Sequence, residues 1–242
     1  MNATTKRMRV FAGPNGSGKS TLFKLISQQY FIGVYVNADL IEFQLANSGF
    51  VNLLDFSLET DLEEFETFSA YSTLFQKAPG QKLQLRYHNN IVVREKEGAF
   101  AYEAAFLADF IRHCLLARQQ SFSFETVMSH PSKVEYFSLA NQAGYKTYLY
   151  FICTEDPEIN IARVKNRTGK GGHDVPVEKI VSRYYKSIEL LPSVIANAYR
   201  SFIFDNSSVQ TQLVLEFKEG QLIRDFTAKR PDWVNKFLPF LP

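Results

Sequence analysis

The sequence predicts an α/β fold built around a mostly parallel, five-stranded sheet. Short apolar runs alternate with amphipathic helical patterns along most of the chain, an order typical of parallel strands joined by crossover helices. The chain has 242 residues, enough for a sizeable core, and its 45% hydrophobic and 21% charged residues are an ordinary globular composition. We therefore interpret residues 1–242 as a single three-layer domain.

Five apolar runs are predicted to form the strands of this sheet. They are Met8–Ala12, Val34–Val36, Phe122–Phe124, Thr147–Cys153 and Phe202–Phe204. Helical patterns lie between most of them. A β-hairpin around Gly220, within a C-terminal segment of residues 211–242, is predicted to add antiparallel strands at an edge.

The segment of about residues 50–98 is predicted to be an inserted helical and hairpin lobe. Residues Asp55–Glu66 contain six acidic residues and no basic one, among Leu and Phe at helical spacing. Pro79-Gly80 ends this helical pattern, and the alternation from Lys82 to Glu95 predicts a hairpin.

Other features of the composition exclude several classes of protein. Cys114 and Cys153 lie in apolar runs, which indicates buried thiols in a reducing, cytoplasmic compartment. No apolar run reaches the roughly eighteen residues that a membrane span needs. The formal net charge of +2 argues against bulk nucleic-acid binding. We expect a cytoplasmic protein with neither a membrane nor a nucleic-acid partner.

One glycine-rich stretch fits the pattern G-x-x-x-x-G-K-[ST] of a phosphate-binding P-loop. Its residues are Gly13, Pro14, Asn15, Gly16, Ser17, Gly18, Lys19, Ser20 and Thr21. The stretch lies between a predicted strand and an amphipathic helix, as the motif requires. Backbone N–H groups of such a loop bind phosphate oxygens, assisted by the helix N-terminus. Lys19 is predicted to reach the β- and γ-phosphates of ATP, and Ser20 to bind the Mg²⁺ carried by ATP. The fold class is therefore a P-loop NTPase three-layer sandwich.

Two acids follow predicted strands, at the edge where ligands bind in such sheets. Asp39 could accept the proton of a hydroxyl that attacks the γ-phosphate; the alternative is an N-cap for a helix beginning near Leu40. Glu125 could hold a substrate hydroxyl or orient a Mg²⁺-bound water. The alternative for Glu125 is an exposed loop acid or a cap.

A basic segment of about residues 157–190 is predicted to form a helical lid. Between residues 160 and 186, seven Lys or Arg stand against two acids, a local charge of +5. Arg163 and Arg167 share one helix face, and Arg183 lies on the next helix. His173, in the glycine loop between these helices, is predicted to contact phosphate or a hydroxyl. Such arginines would stabilise the transferred phosphoryl group; the alternative is a solvated pair of cationic helices.

These pieces, taken in order, resemble the zeta-toxin family of P-loop kinases, in the branch often labelled predicted ABC-type ATPase. The matching stretches are FAGPNGSGKST, VNADLI, SFSFETVMS, GYKTYLYFI, RVKNRTGKGGHDVPVEKIVSRYYKSIELLP and FIFDNS. They cover roughly residues 8–50 and 100–210. The P-loop alone also resembles that of transporter-type ATPases, but the sequence has neither their LSGGQ-like signature nor their apolar run ending in Asp-Glu.

The resemblance implies a kinase that transfers the γ-phosphate of ATP to a hydroxyl of a sugar nucleotide, such as UDP-N-acetylglucosamine, or of a related metabolite. It implies Asp39 as the base, Glu125 and Asp109 as substrate-binding acids, and Asn206 in the adenine pocket. The phosphate-binding arginines are expected in the lid. The expected protein partner of such a toxin is an antitoxin encoded separately.

Two other functions are compatible with the residues. One is a partner-regulated P-loop ATPase that hydrolyses ATP without a small-molecule acceptor. The other is a non-catalytic nucleotide-binding protein whose acidic surface, Asp55–Glu66, binds a partner.

Overall fold

The structure is a computed structural model that describes residues 5–72, 83–96, 98, 100–169 and 175–238. Its strands are β1 (Arg7–Ala12), β2 (Val34–Val36), β3 (Phe50–Asn52), β4 (Leu85–His88), β5 (Ile91–Arg94), β6 (Phe122–Thr126), β7 (Lys146–Cys153), β8 (Arg200–Asp205), β9 (Gln212–Lys218) and β10 (Gln221–Asp225). Its helices are α1 (Lys19–Gln29), α2 (Ala38–Ser48), α3 (Leu62–Tyr71), α4 (Ala101–Ala117), α5 (Ser132–Gln142), α6 (Pro157–Thr168), α7 (Val177–Glu189), α8 (Leu191–Asn197) and α9 (Asp232–Phe237). All five runs predicted to be strands form strands.

The chain divides into two compact units. The first unit comprises Met1–Ile32 and Ser123–Pro242, and the second comprises Gly33–Phe122. The P-loop and the helices of the predicted lid belong to the first unit. The lobe predicted for about residues 50–98 falls within the second unit, which also includes β2, α2 and α4.

The first unit contains the strands of the main sheet in the order β10-β9-β8-β7-β1-β6. Strand β1 pairs in parallel with β7, from Arg7 opposite Lys146 to Ala12 opposite Phe151. Strand β8 continues the parallel arrangement on the other side of β7. Strands β9 and β10 form an antiparallel hairpin that extends the sheet beyond β8. This confirms the prediction of a parallel sheet with a C-terminal hairpin at its edge.

The core of the first unit explains why its central strands are continuous apolar runs. Strands β1 and β7 are buried along most of their length, as expected for parallel strands covered on both faces. Phe11 stacks on Tyr150 with ring centroids 4.9 Å apart, and Leu22 of α1 packs against them. Burying each such side chain stabilises the fold by about 1.5–3 kcal/mol. The packing fixes the strand that leads into the P-loop.

The segment predicted to form the lid contains two helices, α6 and α7. Asp156 caps α6 by accepting a hydrogen bond from the N–H of Glu158 at 2.8 Å, and Pro157 occupies the first turn. The two helices pack through Ile161 and Ile180, which are buried in one cluster with Val164 and Val175. The connecting residues 170–174, among them His173, lie outside the described part of the chain.

The second unit contains a small antiparallel sheet in the order β3-β5-β4. The predicted hairpin is confirmed: Asn89 and Asn90, with φ of 47° and 64°, form the two-residue turn between β4 and β5. Strand β3, which the sequence did not predict, pairs with β5. Two phenylalanines of α4, Phe106 and Phe110, pack edge-on against Phe65 of α3 with centroids 5.7 and 5.4 Å away.

In the described residues, no helix combines the length and the apolar character that crossing a membrane requires.

Candidate functional site

The P-loop follows β1 in a conformation that only glycine accommodates at three positions. Gly13, Gly16 and Gly18 have φ of 146°, 76° and 104°. A Cβ atom at Gly13 would lie 2.0 Å from the carbonyl oxygen of Ile152. At Gly16 it would lie 2.6 Å from the carbonyl oxygen of Asn160, and at Gly18 2.4 Å from Nδ2 of Asn206. The spacing of the motif therefore reflects both backbone conformation and available space.

The start of α1 combines a helix N-terminus with a positively charged side chain. Gly18 caps the helix without a side chain, and its carbonyl oxygen accepts hydrogen bonds from the N–H groups of Thr21 and Leu22. Lys19 Nζ donates to the carbonyl oxygens of Gly13 at 3.0 Å and Pro14 at 2.8 Å, so the ammonium group lies over the loop. Backbone N–H groups, a helix dipole and an ammonium group are together suited to bind phosphate.

The structure brings together two predicted site residues on different elements. Ser20 Oγ donates a 2.9 Å hydrogen bond to Oε2 of Glu125, near the end of β6. The N–H of Gly13 donates to the carbonyl oxygen of Thr126 at 3.3 Å, which holds the end of β6 beside the P-loop. Hydroxyl and carboxylate oxygens are ligands that Mg²⁺ prefers, and Mg²⁺ keeps several waters or phosphate oxygens besides them. The donor set therefore fits the predicted metal.

The three predicted arginines of the lid differ in their surroundings. Arg183 of α7 donates from Nη1 to Oδ1 of Asn15 at 3.4 Å, so this arginine lies against the P-loop. Arg163 is half-buried, and its Nη1 is shielded from solvent with no hydrogen-bond partner among the described residues. Arg167 is exposed in the last turn of α6. Arg183 is therefore an arginine of the predicted lid that contacts the P-loop.

Two asparagines hold the outer side of the P-loop. Nδ2 of Asn160 donates to the carbonyl oxygen of Asn15 at 2.6 Å, and Nδ2 of Asn206 donates to that of Ser17 at 2.7 Å. The Oδ1 atom of Asn206 accepts from Thr211 Oγ1 at 2.9 Å. In the structure, the side chain of Asn206 supports the P-loop itself. The adenine contact that the resemblance implies for Asn206 stays a prediction.

Burial raises the pKa of two groups next to the P-loop. The pKa of the Cys153 thiol, at the end of β7, is raised because the side chain is fully buried. Burial also raises the pKa of Tyr184, whose hydroxyl donates to the carbonyl oxygens of Thr154 at 2.7 Å and Glu155 at 3.1 Å. Both groups therefore stay neutral at physiological pH.

Two predicted site residues belong to the second unit. Asp39 lies in the first turn of α2, but Asn37 is the N-cap: its Oδ1 accepts from the N–H groups of Asp39 and Leu40 at 2.8 and 3.3 Å. The interpretation of Asp39 as the cap is therefore wrong, and its carboxylate is exposed. Asp109 of α4 forms an ion pair with Arg112, with Oδ1 and Nη2 2.6 Å apart.

Asn160, which supports the P-loop, was not predicted from the sequence. This side chain is fully buried on the apolar side of α6, next to Ile161. Its Oδ1 accepts a short hydrogen bond from Thr154 Oγ1. A buried asparagine among apolar helix positions needs hydrogen-bond partners. This requirement is the feature of the sequence from which a structural role of Asn160 could have been predicted.

No protein-family model matches the sequence, and no curated protein matches it either. Solved structures with a similar fold exist. A chain in the crystal structure of the AvrRxo1-ORF1:-ORF2 complex with ATP aligns with a TM-score of 0.57 and 15% identity, over 92% of this chain and 61% of that one. In the complex with sulphate ions the values are 0.56 and 16%, over 94% and 62%. The present chain thus spans about three fifths of those chains.

A third similar structure comes from the PezAT chromosomal toxin-antitoxin system of Streptococcus pneumoniae. It aligns with a TM-score of 0.50 and 12% identity, over 98% of this chain and 80% of that chain. Fold and P-loop together define an α/β protein with the three-layer fold of a P-loop NTPase. The resemblance to the zeta-toxin family that the sequence indicated is confirmed at the level of the fold.

Proposed function

We propose that the protein is an ATP-dependent kinase that transfers the γ-phosphate of ATP to a hydroxyl group of a small molecule. The observation that carries this proposal is the hydrogen bond between Ser20 and Glu125 beside the P-loop. It joins the hydroxyl expected to bind Mg²⁺ to a carboxylate at a strand end, next to Lys19. The similar structures that contain ATP or sulphate ions support a nucleotide as the ligand of this loop.

The donor phosphates would bind to the backbone N–H groups of the P-loop, to Lys19 and to the N-terminus of α1. When bound, Mg²⁺ would neutralise charge on the β- and γ-phosphates, with Ser20 as a direct ligand and Glu125 orienting a water ligand. The fit is supported by the glycine positions, where any Cβ atom would collide with a neighbouring backbone or side chain.

The lid arginines would stabilise the charge that spreads over the transferred phosphoryl group. Arg183 already contacts Asn15 of the P-loop. Among the described residues, the shielded Nη1 of Arg163 has no hydrogen-bond partner, and an oxygen atom of a phosphate would relieve the resulting desolvation cost. We assign Arg167 to the same group, as the resemblance implies, and His173, from its place between the two helices, to a contact with phosphate or a hydroxyl.

The acceptor would be a sugar nucleotide such as UDP-N-acetylglucosamine, or a related metabolite, with Asp39 as the base. The carboxylate of Asp39 is exposed, and its helix is capped by Asn37, so it is available to accept a proton. Asp109, Glu125 and His173 would bind the acceptor. In a cytoplasmic setting the protein partner would be an antitoxin, which the complexes among the similar structures support.

Phosphate transfer from labelled ATP to a panel of UDP-sugars and other hydroxyl metabolites tests this proposal. We expect Asp39→Ala to lower the transfer rate about 10²–10⁴-fold on the true acceptor, because the general base is lost. Asp55→Asn, which changes another exposed acid of the same unit, serves as the matched control and should transfer at the wild-type rate. Equal rates for Asp39→Ala and wild type would eliminate Asp39 as the base.

Hydrolysis of ATP without an acceptor is the second candidate, because Glu125 could also orient a water molecule for attack. The same assay separates the two, since hydrolysis releases inorganic phosphate whether or not a UDP-sugar is present. The acidic stretch Asp55–Glu66 gives less support to the other alternative, a non-catalytic nucleotide-binding protein that binds a partner through this surface. Asp61 caps α3 and Glu64 pairs with Arg118 at 2.8 Å, so two of its acids have structural contacts.

A further inference from the structure

The short C-terminal helix α9 inserts a tryptophan between two strand ends of the first unit. Trp233 is 1% exposed and lies beside Phe151 of β7. Its Nε1–H donates to Oδ1 of Asp205 at 2.9 Å, and its backbone N–H donates to Oε1 of Glu155 at 2.9 Å. One residue of the C-terminal segment therefore bonds to both the loop after β7 and the end of β8.

Each acceptor is adjacent in sequence to an anchor of the P-loop. Asp205 precedes Asn206, whose side chain holds the carbonyl oxygen of Ser17. Glu155 follows Thr154, whose hydroxyl donates to Asn160. Asn160 in turn holds the carbonyl oxygen of Asn15. The two chains of contacts end on either side of Gly16.

A further bridge shows that these loops are fixed to each other. Ser207 Oγ accepts from the N–H of Glu155 at 2.8 Å and donates to Oδ1 of Asp205 at 2.6 Å. Asp205 is 8% exposed, so its carboxylate depends on these donors and on Trp233 for compensation. Loss of the indole N–H would remove one of them and favour a rearranged Asp205 next to Asn206.

These contacts determine the direction in which the backbone N–H groups of the P-loop point. When the carbonyl oxygens of Asn15 and Ser17 are held from outside the loop, the peptide units keep their N–H groups turned towards the phosphate position. A loop held in this way loses less conformational entropy on binding a nucleotide than a loop free to rotate its peptides.

We propose that Trp233 is a positioning residue for nucleotide binding, which acts through Asp205 and Glu155 on Asn206 and Asn160 and so keeps the P-loop in its anion-binding conformation. The inference rests on the ATP site of the proposed function, but not on the identity of the acceptor. It gives the C-terminal segment a role at the nucleotide site.

The test is a double-mutant cycle of MgATP binding, measured by calorimetry on the full chain at a temperature where every variant is folded. Trp233→Phe keeps most of the ring packing and removes the indole N–H. We expect its dissociation constant for MgATP to rise about tenfold, the equivalent of one hydrogen bond to a charged group. Asn206→Ala should weaken binding by at least as much. The double variant should bind no more weakly than Asn206→Ala alone, because the indole N–H that Trp233→Phe removes acts through Asp205 on Asn206.

Phe217→Leu is the matched control: it changes a buried aromatic side chain of β9 that makes none of these contacts. It should lower the free energy of unfolding, as Trp233→Phe does, without changing the affinity for MgATP. Wild-type affinity in Trp233→Phe, or strictly additive losses in the double variant, would overturn the inference while leaving the kinase proposal intact. If wild type binds MgATP but transfers phosphate to nothing, the kinase proposal fails and the positioning role stands. If wild type binds no MgATP, both fail.

Discussion

The two units use their polar side chains in different ways. In the first unit, polar side chains bond to the P-loop, as Asn160 and Asn206 do, or to one another, as Ser20 and Glu125 do. In the second unit, the main polar network closes a hairpin, while the predicted base, Asp39, is exposed. The proposed donor site is therefore built in advance, whereas contacts with an acceptor would orient the carboxylate of the proposed base.

The hairpin network of the second unit is complete within that unit. The hydroxyl of Tyr87 donates to the carbonyl oxygen of Thr60 at 2.5 Å and accepts from the N–H of Asn90 at 2.9 Å. The Oδ1 atom of Asn90 accepts from the N–H and the hydroxyl of Thr60, each at 2.9 Å. These bonds fix the turn between β4 and β5 against the segment before α3. They predict effects on stability rather than on nucleotide binding.

Within the first unit, the largest expected effect comes from Lys19→Ala, which removes the ammonium group over the P-loop. We expect the rate of phosphate transfer to fall about 10²–10³-fold, as when one preorganised donor to a transition state is lost. Lys24→Ala on the same helix is the control, because Lys24 is exposed. Radiometric transfer assays and far-UV circular dichroism on both variants check the prediction. Near-wild-type turnover in Lys19→Ala would show that the chemistry does not take place at this loop.

The next largest effects come from Gly18→Ala and Gly144→Ala, which together distinguish backbone strain from a collision within the site. At Gly18 a methyl group would meet Nδ2 of Asn206 at 2.4 Å, whereas at Gly144, with φ of 81°, it would meet nothing within 4 Å. Both Ala variants should lose about 1–2 kcal/mol of stability, because each places an L-residue in a left-handed conformation. Only Gly18→Ala should also weaken MgATP binding, by about tenfold, because it displaces the hydrogen bond from Asn206 to Ser17. Denaturant unfolding and calorimetry measure the two effects, and equal affinities would contradict the assigned role of Asn206.

The smallest effect on nucleotide binding is expected in the second unit. Tyr87→Phe removes the hydroxyl that joins Thr60 to Asn90 and should lower the free energy of unfolding by about 1–3 kcal/mol. Tyr71→Phe is the control, since the side chain of Tyr71 is 77% exposed. Neither variant should change the dissociation constant of MgATP. A change of binding in Tyr87→Phe without one in Tyr71→Phe would show that the hairpin network and the nucleotide site are coupled.

The parts of the fold that the sequence predicted are those with local causes. Apolar runs that end in glycine or polar residues predicted five strands of the main sheet, which are β1, β2, β6, β7 and β8. Asn89 and Asn90 lie at the turn of the predicted hairpin. The P-loop was predictable because the local backbone has positive φ at Gly13, Gly16 and Gly18, which favours glycine at these positions. Strand β3 was missed because three residues at a sheet edge carry no periodicity of their own.

The contacts that escaped prediction join residues distant in sequence. Asn160 of α6 and Asn206 after β8 donate to the P-loop across 145 and 189 residues of chain, because the parallel register places the ends of β7 and β8 beside the loop. Asn37 and Asp39 are both residue types that cap helices, and which one caps α2 depends on where the helix begins. Trp233 was not predicted because its two hydrogen bonds join it to Asp205 and Glu155, which are distant from it in sequence.

The most direct measurement of phosphoryl transfer is the fate of the γ-phosphate followed by ³¹P NMR, with wild-type protein, MgATP and the panel of UDP-sugars. We expect ADP and one new phosphomonoester resonance to grow in equal amounts, and both to be absent with Lys19→Ala. ADP accompanied only by inorganic phosphate, or no consumption of ATP in the presence of any acceptor, would contradict a kinase that acts on a small-molecule hydroxyl.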